Sequence, residues 1–282
     1  MDRAPTADLV VGRSEPRARP DAEYLLALAD EVVRVAGDRL RERFERGRER
    51  GVRTKSTPTD LVSEADLESE RTIRELLAVR RPEDGFLGEE SAADDGGSSR
   101  AGTSGLRWVV DPLDGTVNFL FAIPQWCVSI AVEDDSGTLA GVIYDPTHDE
   151  MFAGLHDGPS TLNGAPLRAS NQSDLSQSLV STGFAYDAEV RAAQAKVIEN
   201  MIPRVRDIRR MGSAALDLAW TAVGRYDAFF ERTVKAWDIA AGVLICEGAG
   251  LEVQPLEEQP GLPAGVLAAP RGLVGPLLEL VG

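Results

Sequence analysis

Residues 108–119, Trp-Val-Val-Asp-Pro-Leu-Asp-Gly-Thr-Val-Asn-Phe, constrain this chain more than any other stretch. The run starts apolar and β-branched, as a buried strand does. Pro112 removes a backbone donor, so the strand is expected to end there. Two carboxylates, Asp111 and Asp114, flank the turn that follows. Gly115 lets the backbone bend or come close to a ligand, and Thr116 adds a hydroxyl where a short helix can begin. Hard oxygen ligands beside free backbone amides suit a hard cation holding a phosphate. Taken alone, however, Asp-x-x-Asp-Gly is more often a turn than a metal site.

Company changes that balance. Glu89-Glu90 follows the apolar stretch Phe86-Leu87-Gly88, and Trp237-Asp238 heads a segment of small and apolar residues far downstream. Length and charge bound the rest. A chain of 282 residues can bury a sizeable core as one large domain or two intimate halves. Thirty basic against forty-six acidic side chains leave a net charge of −16. That argues against a basic nucleic-acid-binding face, while bound divalent cations would still let an acidic site accept an anionic substrate. No run approaches the roughly 20 apolar residues of a membrane span, and the first residues lack the order of a secretory signal, so a cytoplasmic location is the default. Cys127 and Cys246 sit among apolar and small residues and read as buried hydrophobes rather than a disulfide or a thiol catalyst.

Along the chain, residues 1–20 read as a mobile tail rich in Arg, Pro and Ala. Apolar positions at helical spacing begin at Asp21 and fade into the charged stretch Arg41 to Arg50. Ser63 followed by Asp66 has the spacing of a capping box for a helix reaching about Val79. Asp84 to Ser91 reads as a short strand ending in two acids, and Ala92 to Gly105 as a flexible loop beside it. Strands over Trp126–Val132, Leu139–Tyr144 and Met151–Ala153 form an antiparallel meander. From Leu179 the texture becomes strand, helix, strand, helix: Leu179–Phe184, Glu189–Met201, Val205–Ile208 and Ser213–Val223. Tyr226 to Glu231 is a further strand, and a Leu-rich helix closes the chain. His148 and His156 have no metal-ligand spacing with any Cys or each other, which leaves them structural or solvent roles.

The assembled motifs, Gly88-Glu89-Glu90, Asp111 to Phe119 and Trp237-Asp238-Ile239-Ala240-Ala241-Gly242, resemble those of the inositol monophosphatase family, within the magnesium-dependent, lithium-sensitive phosphatase superfamily. The segment Lys55 to Asp66 is similar to the family's Lys, Asp-x-Val and Asp sequence. The resemblance implies an α/β (α+β) fold, a layered α/β/α/β/α sandwich of the inositol monophosphatase and fructose-1,6-bisphosphatase type. Residues 21–282 would form a single phosphatase domain. About 21–170 would supply the metal-site half with its antiparallel sheet, and about 171–282 an α/β half with substrate contacts and the last metal ligand. It further implies Mg2+ held by Glu89, Asp111, the carbonyl of Leu113, Asp114 and Asp238. Asp66 and Thr116 would orient or deprotonate a water held near Glu89. Phosphate would meet the amides of Gly115 and Thr116, and Gly212, Ser213, Ala214 and Glu231 would reach the polyol, with Asp114 and Asp238 close by. Lys235 would either meet a second anionic group or salt-bridge on the rim. The expected substrate is a small phosphorylated polyol or sugar, inositol monophosphate first, and the expected assembly a homodimer without nucleic acid or membrane. Histidinol phosphate, fructose 1,6-bisphosphate and 3'-phosphoadenosine 5'-phosphate stay open, as does a noncatalytic homologue that binds a metal or a regulatory partner.

Overall fold

The structure is a computed structural model that describes residues 21–47, 53–54, 61–62, 64–94 and 102–282. Helix α1 (Ala22–Glu45) begins at Asp21, whose carboxylate accepts the N–H groups of Glu23 and Tyr24. The two-residue strands β1 (Arg53–Thr54) and β2 (Leu61–Val62) pair antiparallel ahead of helix α2 (Glu64–Arg80). Ser63, the expected cap of α2, lies outside the described residues, as do residues 1–20 and 55–60.

Strand β3 (Gly85–Gly88) runs into the short helix α3 (Glu89–Asp94), and β4 (Arg107–Asp114) into α4 (Thr116–Leu120). The meander follows as β5 (Cys127–Asp134), β6 (Gly137–Asp145) and β7 (Glu150–Leu155), with β8 (Thr161–Leu162) and β9 (Ala165–Pro166) at its edge. These strands form one sheet in the order β3-β4-β5-β6-β7-β8-β9, antiparallel throughout except for the parallel pair β3 and β4. The second half supplies β10 (Leu179–Thr182), α5 (Ala188–Met201), β11 (Asp207–Arg209), α6 (Ala214–Ala222), β12 (Ala228–Arg232), α7 (Ala236–Gly248), β13 (Glu252–Leu256), β14 (Gly265–Ala269) and α8 (Arg271–Val281). Its sheet is mixed, in the order β11-β10-β12-β14-β13.

Strand periodicity distributes the apolar residues over three cores. Along β4 and β5, Trp108, Val110, Val128, Ile130 and Val132 face α1 and α2, while Val109, Cys127 and Ala131 face the opposite side, where α6 and α7 lie. Along β12 and β14, Phe229, Val266 and Ala268 join that same central layer. Ala228, Phe230, Leu267 and Ala269 instead face α8. The layers therefore run helix, sheet, helix, sheet, helix, which is the α/β/α/β/α arrangement expected from the sequence.

Three expectations need correction. Pro112 does not end its strand: β4 continues to Asp114. Asp111 pairs with Ser129 and Asp114 with Cys127, so three steps on β4 oppose two on β5. The proline sits in this bulge, where a missing donor costs no ladder bond. Glu89 and Glu90 do not cap a strand facing a loop that starts at Ala92; they open α3, which carries Ala92 to Asp94 in helix. The strand expected at Val205–Ile208 lies slightly later, at Asp207–Arg209. Among the described residues no helix is long and apolar enough to cross a membrane.

The small residues of α7 have a packing cause. A Cβ on Gly141 of β6 would come 2.8 Å from the Cα of Ala241, and one on Gly242 would come 2.6 Å from Cδ1 of Leu218 in α6. Helix α7 thus lies backbone-close to β6 and fits against α6 at the same level. Gly141→Ala is expected to lower stability by about 1–3 kcal/mol through overpacking. Gly275→Ala, in α8 with nothing within 4 Å, is expected to add about 0.5–1 kcal/mol. Urea unfolding of the two variants checks the contrast.

Candidate active site

The bulge in β4 turns three backbone groups and two carboxylates out of the sheet ladder. Asp111, 2% exposed, folds back so that its Oδ1 accepts the N–H of Leu113 at 3.0 Å. The Pro112 carbonyl accepts Oγ of Ser69 from α2 at 2.8 Å. Gly115 then adopts φ 97° and ψ 32°, and a Cβ there would stand 2.8 Å from the carbonyl oxygen of Gln125. Only glycine satisfies both the left-handed backbone and that close approach. The turn delivers Thr116, whose Oγ1 lies 2.8 Å from Oδ1 of the buried Asp66 and 3.1 Å from the Leu113 carbonyl. One hydroxyl proton serves one of these acceptors at a time, and the carboxylate is the stronger.

Asp114 reaches across to the other half. Its Oδ2 accepts Oγ of Ser213 and the N–H of Ala215, both at 2.7 Å. Ser213 is also the N-cap of α6, accepting the N–H of Leu216 at 3.3 Å, so its hydroxyl links the first half's carboxylate to the second half's helix. Burial outweighs these hydrogen bonds and pushes the Asp114 carboxyl up to about 6. Asp238, in the first turn of α7, accepts the N–H of Lys235 at 2.6 Å. The carboxyls of Asp111 and Asp238 both stand well above the usual carboxylate range, mainly because they are buried. Glu89 and Asp114 raise both further by charge repulsion, and Asp111 also feels Asp238. Glu89, Asp111, Asp114 and Asp238 therefore lie within one another's electrostatic reach. Among the described residues, however, no three His, Cys, Asp or Glu side chains form a finished metal cage. Asp111, Asp114 and Asp238 each accept a nearby backbone N–H.

Glu231, on β12, packs its carboxylate over Gly183, where any side chain would collide with it. Burial, and to a lesser degree the charge of Asp114, pushes it up to about 8 against the opposing pull of Arg210. Gly212 enters α6 at φ 93°, with Nη1 of Arg210 in the space a side chain would need. Lys235 is exposed at the start of α7, and its ammonium forms no ion pair among the described residues. Both histidines lie on other acids, His148 Nδ1 2.7 Å from Asp145 and His156 Nδ1 3.0 Å from Asp157. Both cysteines are free and buried.

Three residues that hold this arrangement, and one buried acid near it, were given no role by the sequence reading. Glu70 caps α3 from α2, accepting the N–H of Glu90 at 2.8 Å and of Ser91 at 3.1 Å. Ser69 pins the bulge. Both follow Asp66 by three or four residues, the spacing that puts them on one helix face, and that was the available signal. Asn118 donates to the carbonyls of Gln125 at 2.7 Å and Met211 at 2.8 Å, tying the turn after β4 to the approach to α6. Asp217 is 1% exposed, and neither of its carboxylate oxygens has a hydrogen-bond partner among the described residues. Burial, then the charges of Glu231 and Asp114, raise its carboxyl well above the ordinary range. An acid inside Ala-Leu-Asp-Leu-Ala was the clue.

Residues 21–280 match the model of the inositol monophosphatase family. An inositol-1-monophosphatase of Mycobacterium leprae is 45% identical over 241 residues, covering 80% of each chain. A protein of Pasteurella multocida named Nus factor SuhB is 39% identical over 227 residues, 80% of this chain and 83% of its own. The crystal structure of the extragenic suppressor protein suhB from Bartonella henselae superposes with a TM-score of 0.82 at 32% identity, covering 92% of this chain and 98% of that one. A bulged strand that gathers buried acids at the starts of three helices thus sits within a known architecture, and the chain belongs to the inositol monophosphatase family.

Proposed function

We propose that the protein hydrolyses a small phosphomonoester, inositol monophosphate first among them, to the alcohol and phosphate with the help of Mg2+. The observation that supports this most is the shared electrostatic field of Glu89, Asp111, Asp114 and Asp238, of which the buried Asp111 and the half-buried Asp114 and Asp238 are driven toward protonation by desolvation and by neighbouring acids. Such a donor set fits a hard divalent cation, which relieves the repulsion without protonating the acids. Glu89, Asp111, Asp114, Asp238 and the Leu113 carbonyl would hold it. When bound, it supplies the positive charge that offsets the phosphoryl oxygens and makes a neighbouring water more acidic.

The chain's own groups supply the rest. Thr116 donates a hydrogen bond to Asp66, which leaves an oxygen lone pair free to accept a proton from the attacking water, and Glu89 would hold that water. The amides of Gly115 and Thr116, at the open start of α4, receive phosphate oxygens. Glu231 and the turn Gly212-Ser213-Ala214 would accept and donate to polyol hydroxyls. With its carboxyl near 8, Glu231 offers a neutral donor as well as an acceptor at physiological pH. Lys235, lacking an ion-pair partner among the described residues, is free to meet an anionic group of the substrate. The name of the Mycobacterium leprae relative supports the substrate, while the name Nus factor on another keeps a role apart from hydrolysis as the second reading. On resemblance alone we take residues 21–282 as one phosphatase unit, cytoplasmic and homodimeric.

Three outcomes are expected. Purified protein with Mg2+ releases phosphate from inositol monophosphate faster than from histidinol phosphate, fructose 1,6-bisphosphate or 3'-phosphoadenosine 5'-phosphate, and EDTA abolishes release; silence across that panel would end the proposal. Thr116→Val lowers kcat by about 100-fold or more while KM changes little, as loss of a proton relay does, read from steady-state kinetics. Asp111→Asn changes the pH dependence of stability in EDTA. Because folding raises this carboxyl's pKa above its unfolded value of about 4, the ionised group costs stability increasingly as pH rises from there through the folded value. The variant should therefore melt higher than wild type at pH 7.5, and the difference should vanish near pH 4.

A further inference from the structure

A cavity of about 270 Å³ lies between α1 and α2. Its floor is apolar, with Leu40 and Ala65 buried there. Its wall carries the hydroxyls of Ser69 and Thr72, and its rim carries three guanidinium groups, Arg39, Arg43 and Arg46. These cations are not equally committed. Arg43 pairs with Glu68 at 3.0 Å and Glu64 at 3.5 Å. Arg39 donates to the neutral Thr72 Oγ1 at 2.9 Å, and Arg46, exposed at the end of α1, has no ion-pair partner among the described residues. Glu42 is the remaining acid on the rim. Three guanidinium groups thus stand against three carboxylates, Glu42, Glu64 and Glu68, and with two of these acids on Arg43 the positive charge is concentrated on Arg39 and Arg46.

We propose that this cleft binds a small organic phosphate, its anionic head between Arg39 and Arg46 and its apolar body over Leu40 and Ala65. Planar guanidinium forks suit a phosphate better than a point cation would. A volume near the lower end of small-molecule sites fits a compact ligand rather than a peptide. The site is separate from the carboxylate centre but mechanically joined to it. Ser69 lines the cleft and donates to the Pro112 carbonyl within the bulge, and Asp66, one helical turn earlier, holds the Thr116 hydroxyl. A ligand that shifts α2 against α1 moves both contacts, so occupancy changes turnover from a distance.

The test uses the full chain and phenylphosphonate, which offers a phosphate-like head on an apolar ring and no ester to hydrolyse. Calorimetry in EDTA, where the acidic centre repels anions, should show saturable binding to wild type. Arg39→Gln/Arg46→Gln should weaken it at least tenfold while leaving basal hydrolysis with Mg2+ unchanged, and its circular dichroism melt should match wild type. Arg46→Glu, a single change on the surface that cannot disturb a core, should weaken binding by at least the same factor and serves where the double variant melts early. Absence of saturable binding to wild type, or binding undiminished in Arg46→Glu, overturns the proposal. Because the readout is binding in EDTA, its failure is distinct from failure of the hydrolytic reading.

Discussion

Like charge held out of water is the constraint that shapes this molecule. Asp111, Asp114 and Asp238 are driven toward protonation chiefly by desolvation, and each feels the others or Glu89. A fold that concentrates them must offset that cost locally. It does so with helix starts. Glu89 opens α3, Asp114 accepts an N–H from the first turn of α6, and Asp238 sits in the first turn of α7. The first turn of α6 gives Asp114 an N–H and the start of α7 gives Asp238 one, while the first N–H groups of α3 go to Glu70 beside the same acids. The layered architecture is what lets acids from distant parts of the sequence, at the starts of α3 and α7 and at the end of β4, share one electrostatic neighbourhood.

The central layer does the joining. Helix α7 packs on the large sheet through Gly141 and on α6 through Gly242, while residues of β12 and β14 close the same core from the other side. Asp238 is therefore carried by an element that belongs structurally to both halves. Ser213 works at the same junction from a different direction, capping α6 while donating to Asp114. The acids are placed by packing and capping, and their chemistry follows from that placement.

Much of this was legible in the chain, for reasons that differ by residue. The alternation of Val128, Ile130 and Val132 gave the meander because a strand with helices on both faces still sorts large from small side chains. Asp111, Asp114 and Asp238 stood out because acids at the edge of apolar runs are conspicuous. The bulge was not legible: Pro112 is an equally good reason for a strand to stop, and only the register with β5 distinguishes the two. Glu70 and Asn118 were hidden because their partners are backbone groups, which leave no mark in sequence. Asp217 was passed over because its apolar helix reads as core, and a buried acid lacking a partner has no pattern of its own.

The amide of Asn118 clasps two carbonyls that are 86 positions apart in the chain, Gln125 and Met211. That clasp ties the loop beside the bulge to the loop entering α6. A change that moves Met211 or its neighbour Gly212 would drag the threonine-bearing turn along with it. The two loops are then inherited together, and divergence in one without the other would first have to release that amide.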